Sequence, residues 1–352
     1  MDLNYLFLQR FKAEQLMTKT ILAILSLSIL LWFSCSDQNE SKEANVDYSI
    51  RVIDKFELKI PSGSGITGYK NGFLTVGDDT PWMYYLDSTG TLTDSLRLST
   101  VDGYVPGVRM GPAFKPDFEC ITRLNEKIVL VIGSGSYTSA RDTAYLVNAE
   151  EKRILAKKSM SAFYEAFAEL GGIEDVHALN IEGVAVAKHD IYFFNRGDLS
   201  GKSLIFKTDL SRFISYFNSE DSVVVDAVYS PTPYSEEYGY STYSSSIYLP
   251  SAEVFLFSST MEEGSRMDSN GVVIDGEIKG SFLGRIRLNE LNDSIVKATA
   301  ILEDGIISPI KIEGIWLNKI ISDSVFQFIG VSDPDDGTTN TYIIEVRINK
   351  LQ

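Results

Sequence analysis

Residues 180–197, NIEGVAVAKHDIYFFNRG, read as a β-hairpin. Two short runs rich in β-branched and aromatic residues are joined by a tight turn and closed by Asn, Arg and Gly. The opening strand recurs along the chain. Aligned copies are GITGY (65–69), DFECI (117–121), NIEGV (180–184), SSIYL (245–249) and KIEGI (311–315). The alignment points Ile66, Phe118, Ile181, Ser245 and Ile312 recur at a spacing of about 50–70 residues, long enough for several strands per repeat. Each of the first four copies is followed by three further strand-like runs. The fifth is followed by only two, VFQFIGV and TYIIEVRI. The segment DYSIRVIDKFELKI (47–60) can supply the missing strand, closing a ring so that no sheet edge is left between first and last repeats. The count predicts an all-β protein, a β-propeller of five four-stranded blades, with six blades as the alternative. One short inter-blade helix is expected over Ser159–Leu170, where Met160, Phe163, Phe167 and Leu170 fall at helical spacing and Gly171-Gly172 stops it.

Composition narrows the chemistry. The chain has 352 residues, with 32 Lys+Arg against 48 Asp+Glu and a formal net charge of −16. So acidic a surface excludes nucleic acid as a partner, because phosphate binding needs a basic face. Two cysteines exclude a disulfide scaffold or four-cysteine zinc site, and two histidines leave little for a multi-His centre. Cys120, in the apolar context FECIT, reads as a buried structural thiol. Any chemistry must come from carboxylates, hydroxyls and arginines.

The N-terminus reads as an address. TILAILSLSILLWF (20–33) follows Lys19 and stops at Ser34-Cys35. It is short for a membrane span, which needs about 20 apolar residues, and suits a signal-peptide core. The stretch SILLWFSC resembles a bacterial lipoprotein signal. This resemblance implies a signal peptide over 1–34, a lipid on Cys35 and attachment to a bilayer outside the cytoplasm, the outer membrane being the expected one. An uncleaved membrane anchor is the alternative. The polar segment 35–47 reads as a tether and 48–352 as the propeller domain.

If the five hairpins are equivalent, their strand starts and strand ends converge on one rim. The starts are Thr67, Glu119, Glu182, Ser246 and Glu313. The ends include Asp78, Asp79, Ser134, Ser136, Asn195, Arg196, Ser259, Glu262, Ser332 and Asp333. Three glutamates recur at one place. Like charges that close are costly unless compensated, so Glu119, Glu182 and Glu313 are candidate ligands for calcium, which takes carboxylate and carbonyl oxygens in a flexible cage, and the loop DPDDG with Asp333 and Asp336 looks like either a calcium loop or a plain turn. The alternative is that each Glu accepts hydrogen bonds from backbone amides of the next blade. Gly133-Ser134-Gly135-Ser136 offers amides and hydroxyls to a small ligand, and Asp79 adds an acceptor. Arg141 and Arg196 lie near loop ends, where each either clamps a phosphate or carboxylate or pairs with a rim Glu. The tyrosine-rich loop PTPYSEEYGYSTY reads as a packed surface loop.

Taken in order, the pieces GITGYKNGFLTVGDD, KPDFECIT, LVIGSGS, NIEGVAV, STMEEG, KIEGI and GVSDPDDG resemble the phytase-like (esterase-like activity of phytase) β-propeller proteins, and within them a group of uncharacterised bacterial propeller lipoproteins. The resemblance spans residues 50–348. It implies an envelope propeller binding a small ligand, metal ion or protein at one rim, with Glu119, Glu182, Glu262, Glu313, Asp333 and Asp336 as the metal-binding acids, or, alternatively, a calcium-dependent phosphoesterase or esterase. The longer Asp-Ala-Asp-Asp-Pro calcium motif of propeller phytases is present here only in fragments, and a shared fold does not carry an activity.

Overall fold

A computed structural model describes residues 47–349 except 102–103, 106–109, 111–113, 198–199, 219–222, 264–265, 268–272, 275 and 335–337. Cys35, the segments 1–34 and 35–46, and Asp336 therefore lie outside the described residues.

The strands form five blades around an axis. Blade 1 runs Gly63–Tyr69, Gly72–Gly77, Trp82–Leu86 and Leu92–Arg97 from the axis outward. Blade 2 runs Phe118–Arg123, Ile128–Gly133, Thr143–Asn148 and Arg153–Ser159, and blade 3 Ile181–Ala187, Asp190–Asn195, Leu204–Asp209 and Ala227–Tyr229. Blade 4 uses Thr242–Leu249, Val254–Glu262, Ile278–Arg287 and Ile295–Ala300. Its outer edge is covered by Thr232–Ser235, which pairs parallel to Ile295–Ala300. That cover comes from the tyrosine-rich loop, and Tyr238 packs on Phe282 with ring centres 5.8 Å apart. Blade 5 is Ile312–Ser322, Val325–Ser332 and Thr339–Asn349, completed by Asp47–Leu58. That N-terminal strand pairs antiparallel with Thr339–Asn349 from Asp47↔Asn349 to Leu58↔Thr339, as the strand count requires. Thr339 stitches the closure. Its Oγ1 accepts from the Gly63 amide at 2.6 Å and donates to the Ile60 carbonyl at 2.9 Å.

The core is divided as a ring demands. Leu74, Val76 and Phe118 fill the seam between blades 1 and 2, and Tyr192, Phe194 and Phe255 that between 3 and 4. Ile247, Leu283 and Ile315 join blades 4 and 5, and Ile66, Phe73 and Ile329 join 5 and 1. The seam between blades 2 and 3 is the largest. It holds helix α1 (Ser161–Gly171), packed on one face through Phe163 and Phe167, and ends at Gly172 in the left-handed region, φ 62°. It also holds a second helix that the single-helix expectation omits, α2 (Leu210–Asn218), which seats Phe213 beside Phe163 and Phe193, Tyr216 beside Phe163, and Phe217 against Phe213. Asp209 caps α2 by accepting from the Arg212 amide at 2.9 Å. Cys120 is buried in the same seam and donates to the Ile181 carbonyl at 3.4 Å. No helix among the described residues is long and apolar enough to cross a membrane.

Candidate binding site at the channel mouth

The five innermost strands share one irregularity near their start. Register slips between Gly63 and Gly65, Phe118 and Cys120, Ile181 and Gly183, Tyr243 and Ser245, and Ile312 and Gly314. Each slip is a β-bulge that leaves one residue unpaired and re-aims its side chain. The bulged residues are Ser64, Glu119, Glu182, Ser244 and Glu313. Two of the aligned strand starts are therefore corrected. Blade 1 contributes Ser64 rather than Thr67, and blade 4 Ser244 rather than Ser246. Thr67 and Ser246 lie further along their strands.

The residue after the bulge is small in every blade, because the innermost strands crowd together at the axis. A Cβ at Gly65 would lie 2.9 Å from the Glu119 carbonyl, and one at Gly183 would lie 2.7 Å from Ser246 Oγ. The recurring Glu-Gly pair thus has two separate causes. The bulge turns Glu inward, and the glycine admits the neighbouring blade.

At this mouth the structure gathers a buried charge network. Lys115, on the connection into blade 2, donates to Asp78 and sits 2.9 Å from Asp117 Oδ1 and 3.9 Å from Asp79 Oδ1. Arg141 donates to Asp117 Oδ2 at 2.9 Å and to Ser136 Oγ at 2.8 Å. Ser134 donates to Asp117 and shares a 2.8 Å bond with Ser136. Arg196 donates to Glu182 Oε1 at 3.2 Å and to Glu262. Asn180 adds a 2.9 Å bond to Glu182. Lys311 is 2.6 Å from Glu313 Oε1. Asp79 accepts from Ser62 Oγ at 3.1 Å.

So the rim glutamates do converge, and cationic side chains converge with them. Glu182 and Glu313 are held by cationic side chains. Arg141 and Arg196, candidates for clamping an anion, are turned onto carboxylates. Ser134 and Ser136 face Asp117 rather than open space. Asp333, 4% exposed, lies against Asp78 and Asp79.

Among the described residues, eight carboxyl groups (Asp78, Asp79, Asp117, Glu119, Glu182, Glu262, Glu313 and Asp333) stand against four cations (Lys115, Arg141, Arg196 and Lys311). The imbalance shows in the titration of individual groups. Burial pushes the Asp78 carboxyl up to about 7, with Lys115 opposing and Asp79, Asp117 and Glu313 adding to the rise. Burial, with Glu182, Asp117, Glu313 and Asp78 around it, holds Glu119 well above the usual carboxylate range. Burial also acts against ionised Asp117, but Lys115 and Arg141 outweigh it and keep that carboxyl low. Burial works against the Lys115 ammonium too, and Asp117 and Asp78 overcome it. Glu119 differs from the other acids. It is 8% exposed and its carboxylate makes no hydrogen bond among the described residues. Oxygens of Asp78, Asp117 and Glu119, and separately of Asp78, Asp79 and Asp333, lie within 4.8 Å of one another. Of the glutamates singled out in the sequence, only Glu119 joins these sets among the described residues. Asp117 and Lys115, unlike the strand-end Asp78, carry no repeat signal. Their clue is density alone, as in KPD (115–117).

A family model described as a family of unknown function, DUF6929, matches residues 59–348. The chain belongs to the DUF6929 family. No curated protein matches it. The match is thus to DUF6929, not to the phytase-like proteins its motifs resemble. Among solved structures, this DUF6929 chain is similar to a member of the DUF4221 family from Bacteroides vulgatus, at 6% identity and TM-score 0.41 over 86% of this chain and 99% of that one. A streptogramin B lyase aligns at 11% identity and TM-score 0.38, over 86% and 98%. A protein described as exported, from Bacteroides fragilis, aligns at 10% identity and TM-score 0.34, over 90% and 99%. Likenesses this distant transfer no activity to the DUF6929 propeller.

Proposed function

We propose that this DUF6929 propeller is an envelope binding protein, lipid-anchored through Cys35, whose acidic channel mouth takes up a divalent cation. The observation that carries the reading is the approach of Asp78, Asp117 and Glu119 oxygens to within 4.8 Å of one another, with Asp78 Oδ1 buried and without a hydrogen bond, in a network where acids outnumber bases among the described residues. Placing such a group away from water is costly unless a cation compensates it. The oxygens of Asp78, Asp117 and Glu119, with Asp79 and Asp333 beside them, are all hard donors of the kind calcium prefers. The Lys115 ammonium is the built-in competitor, holding two of those acids when no metal ion does. A bound cation would supply positive charge at the mouth and offer its open positions to a ligand oxygen. Hydrolysis is not part of this reading, because both arginines suited to a phosphoester are engaged by carboxylates. The envelope placement rests on the apolar run 20–33 ending at Ser34-Cys35.

The test is calcium titration of chelator-treated protein, followed by calorimetry and melting. Binding should raise the melting temperature, with stabilisation of about 2.7 kcal/mol at a hundredfold excess over the dissociation constant. The effect should vanish in Glu119→Gln. No heat and no shift with calcium would make the cluster a structural ion-pair network instead.

A further inference from the structure

The innermost strands begin at the acidic mouth and end around a second opening on the same axis. A cavity of about 460 Å³ lies there, within the range of small-molecule sites. All five blades line it. Thr67 comes from blade 1, Arg123 from blade 2, Val186 from blade 3, Ser246 and Tyr248 from blade 4 and Trp316 from blade 5. Thr67 and Ser246, displaced from the acidic rim by the bulge register, belong to this end.

Three features make it a built site. Ser246 lines the cavity but turns its hydroxyl onto Gly183 of blade 3, leaving the opening to Thr67, Arg123 and Trp316. Thr67 is 2% exposed and also makes no side-chain hydrogen bond among the described residues. Arg123 is half-buried and has no acidic partner among the described residues, although acids outnumber bases 48 to 32 in the chain. Its guanidinium makes one long bond, 3.4 Å, to the Gly68 carbonyl. Gly68 is also where Trp316 rests. A Cβ there would collide with the indole. The missing side chain lets the indole approach the backbone at the residue whose carbonyl Arg123 bonds, and Tyr248 lines the same cavity.

We propose that this opening binds a small ring-bearing carboxylate. The ring face packs on Trp316 and Tyr248, the carboxylate takes the Arg123 fork, and a hydroxyl at the far end of the ligand satisfies Thr67. Hydroxylated aromatic acids and uronic acids share this chemistry. The site is independent of the cation at the other mouth.

Calorimetry of the purified propeller with 4-hydroxybenzoate and with glucuronate, each beside its neutral counterpart 4-hydroxybenzamide or glucose, tests the proposal. At least one acid should bind saturably and about tenfold more tightly than its neutral counterpart, the discrimination expected of one charge-assisted pair. Which acid binds identifies the source of the ring. Arg123→Gln should erase the preference for the acid, and Glu119→Gln should leave it intact. Trp emission in a Trp82→Phe background should respond through Trp316. The proposal fails if neither acid binds, if acid and neutral probe bind equally, or if the preference depends on Glu119 rather than Arg123.

Discussion

Arg196 of blade 3 bridges a blade boundary, donating to Glu262 of blade 4 with one terminal nitrogen and to Glu182 of its own blade with the other. Its side chain is 5% exposed, so the pair is screened little by solvent. Arg196→Gln leaves two carboxylates facing each other in a buried place and should cost about 3–5 kcal/mol in urea unfolding. The double variant Arg196→Gln, Glu262→Gln should recover part of that. A loss below about 1 kcal/mol would place the pair in the class of surface bridges.

Lys115→Met removes the cation that, among the described residues, holds Asp78 and Asp117 together. Without added metal it should destabilise the fold by a similar 3–5 kcal/mol or so. Calcium should then restore much of the loss, since the ion replaces the ammonium. If calcium restores nothing, Lys115 is the permanent counterion and the mouth takes no metal.

The acidic mouth also sets a pH dependence. Asp78, with a folded pKa of about 7 against an ordinary 3.8, keeps a proton that the unfolded chain gives up. Stability from this group is therefore full below about pH 4, falls as pH rises towards 7, and is level above that. Glu119 acts in the same direction. Asp117, held low, acts oppositely, and its contribution is lost only as pH falls below 3.8. Melting temperatures from pH 5 to 8 in chelator should decline, and Glu119→Gln should flatten the decline. A steeper decline in that variant would contradict the assignment.

Gly314 meets the backbone of blade 1 at Ser64 and Ile66. Gly314→Ala should push these strands apart and cost about 1–3 kcal/mol, the usual range for overpacking. An unchanged urea midpoint would mean that the inner strands have slack.

Cys35→Ala should abolish incorporation of a fatty-acid analogue during growth and release the protein from the membrane fraction. Label retained in the variant would rule out the anchor.

The fold was legible because its signal repeats. Strands such as Ile191–Asn195 and Val254–Phe257 are runs of β-branched and aromatic residues, and the shortfall of one strand after Lys311 pointed to 47–58 as the closing piece. Glu119, Glu182 and Glu313 were legible because each stands one place after an aligned apolar residue. Blades 1 and 4 were misaligned because their bulges hold Ser64 and Ser244, and serine is too common to mark a position. Helix α2 was missed although Leu210, Phe213, Ile214 and Phe217 have helical spacing, since its flanks read as consecutive strands. Lys115 and Asp117 could not be weighed. Their roles come from where a long connection lands, and no periodicity encodes that. The cavity at Arg123 and Trp316 is likewise assembled from five distant strands.

The pairing of Asp47–Leu58 with Thr339–Asn349 has a kinetic consequence. The strand translated first among the described residues must wait for the one translated last. Until then Ile50 and Leu58, buried in the finished ring, have no seam to enter. Blades 1 to 4 can form as local meanders while the chain emerges from the ribosome, but the ring can only snap shut afterwards, across a loop nearly as long as the domain. The slow step of folding should therefore be this closure, and the species awaiting it an open arc with two unsealed edges, the form most exposed to aggregation.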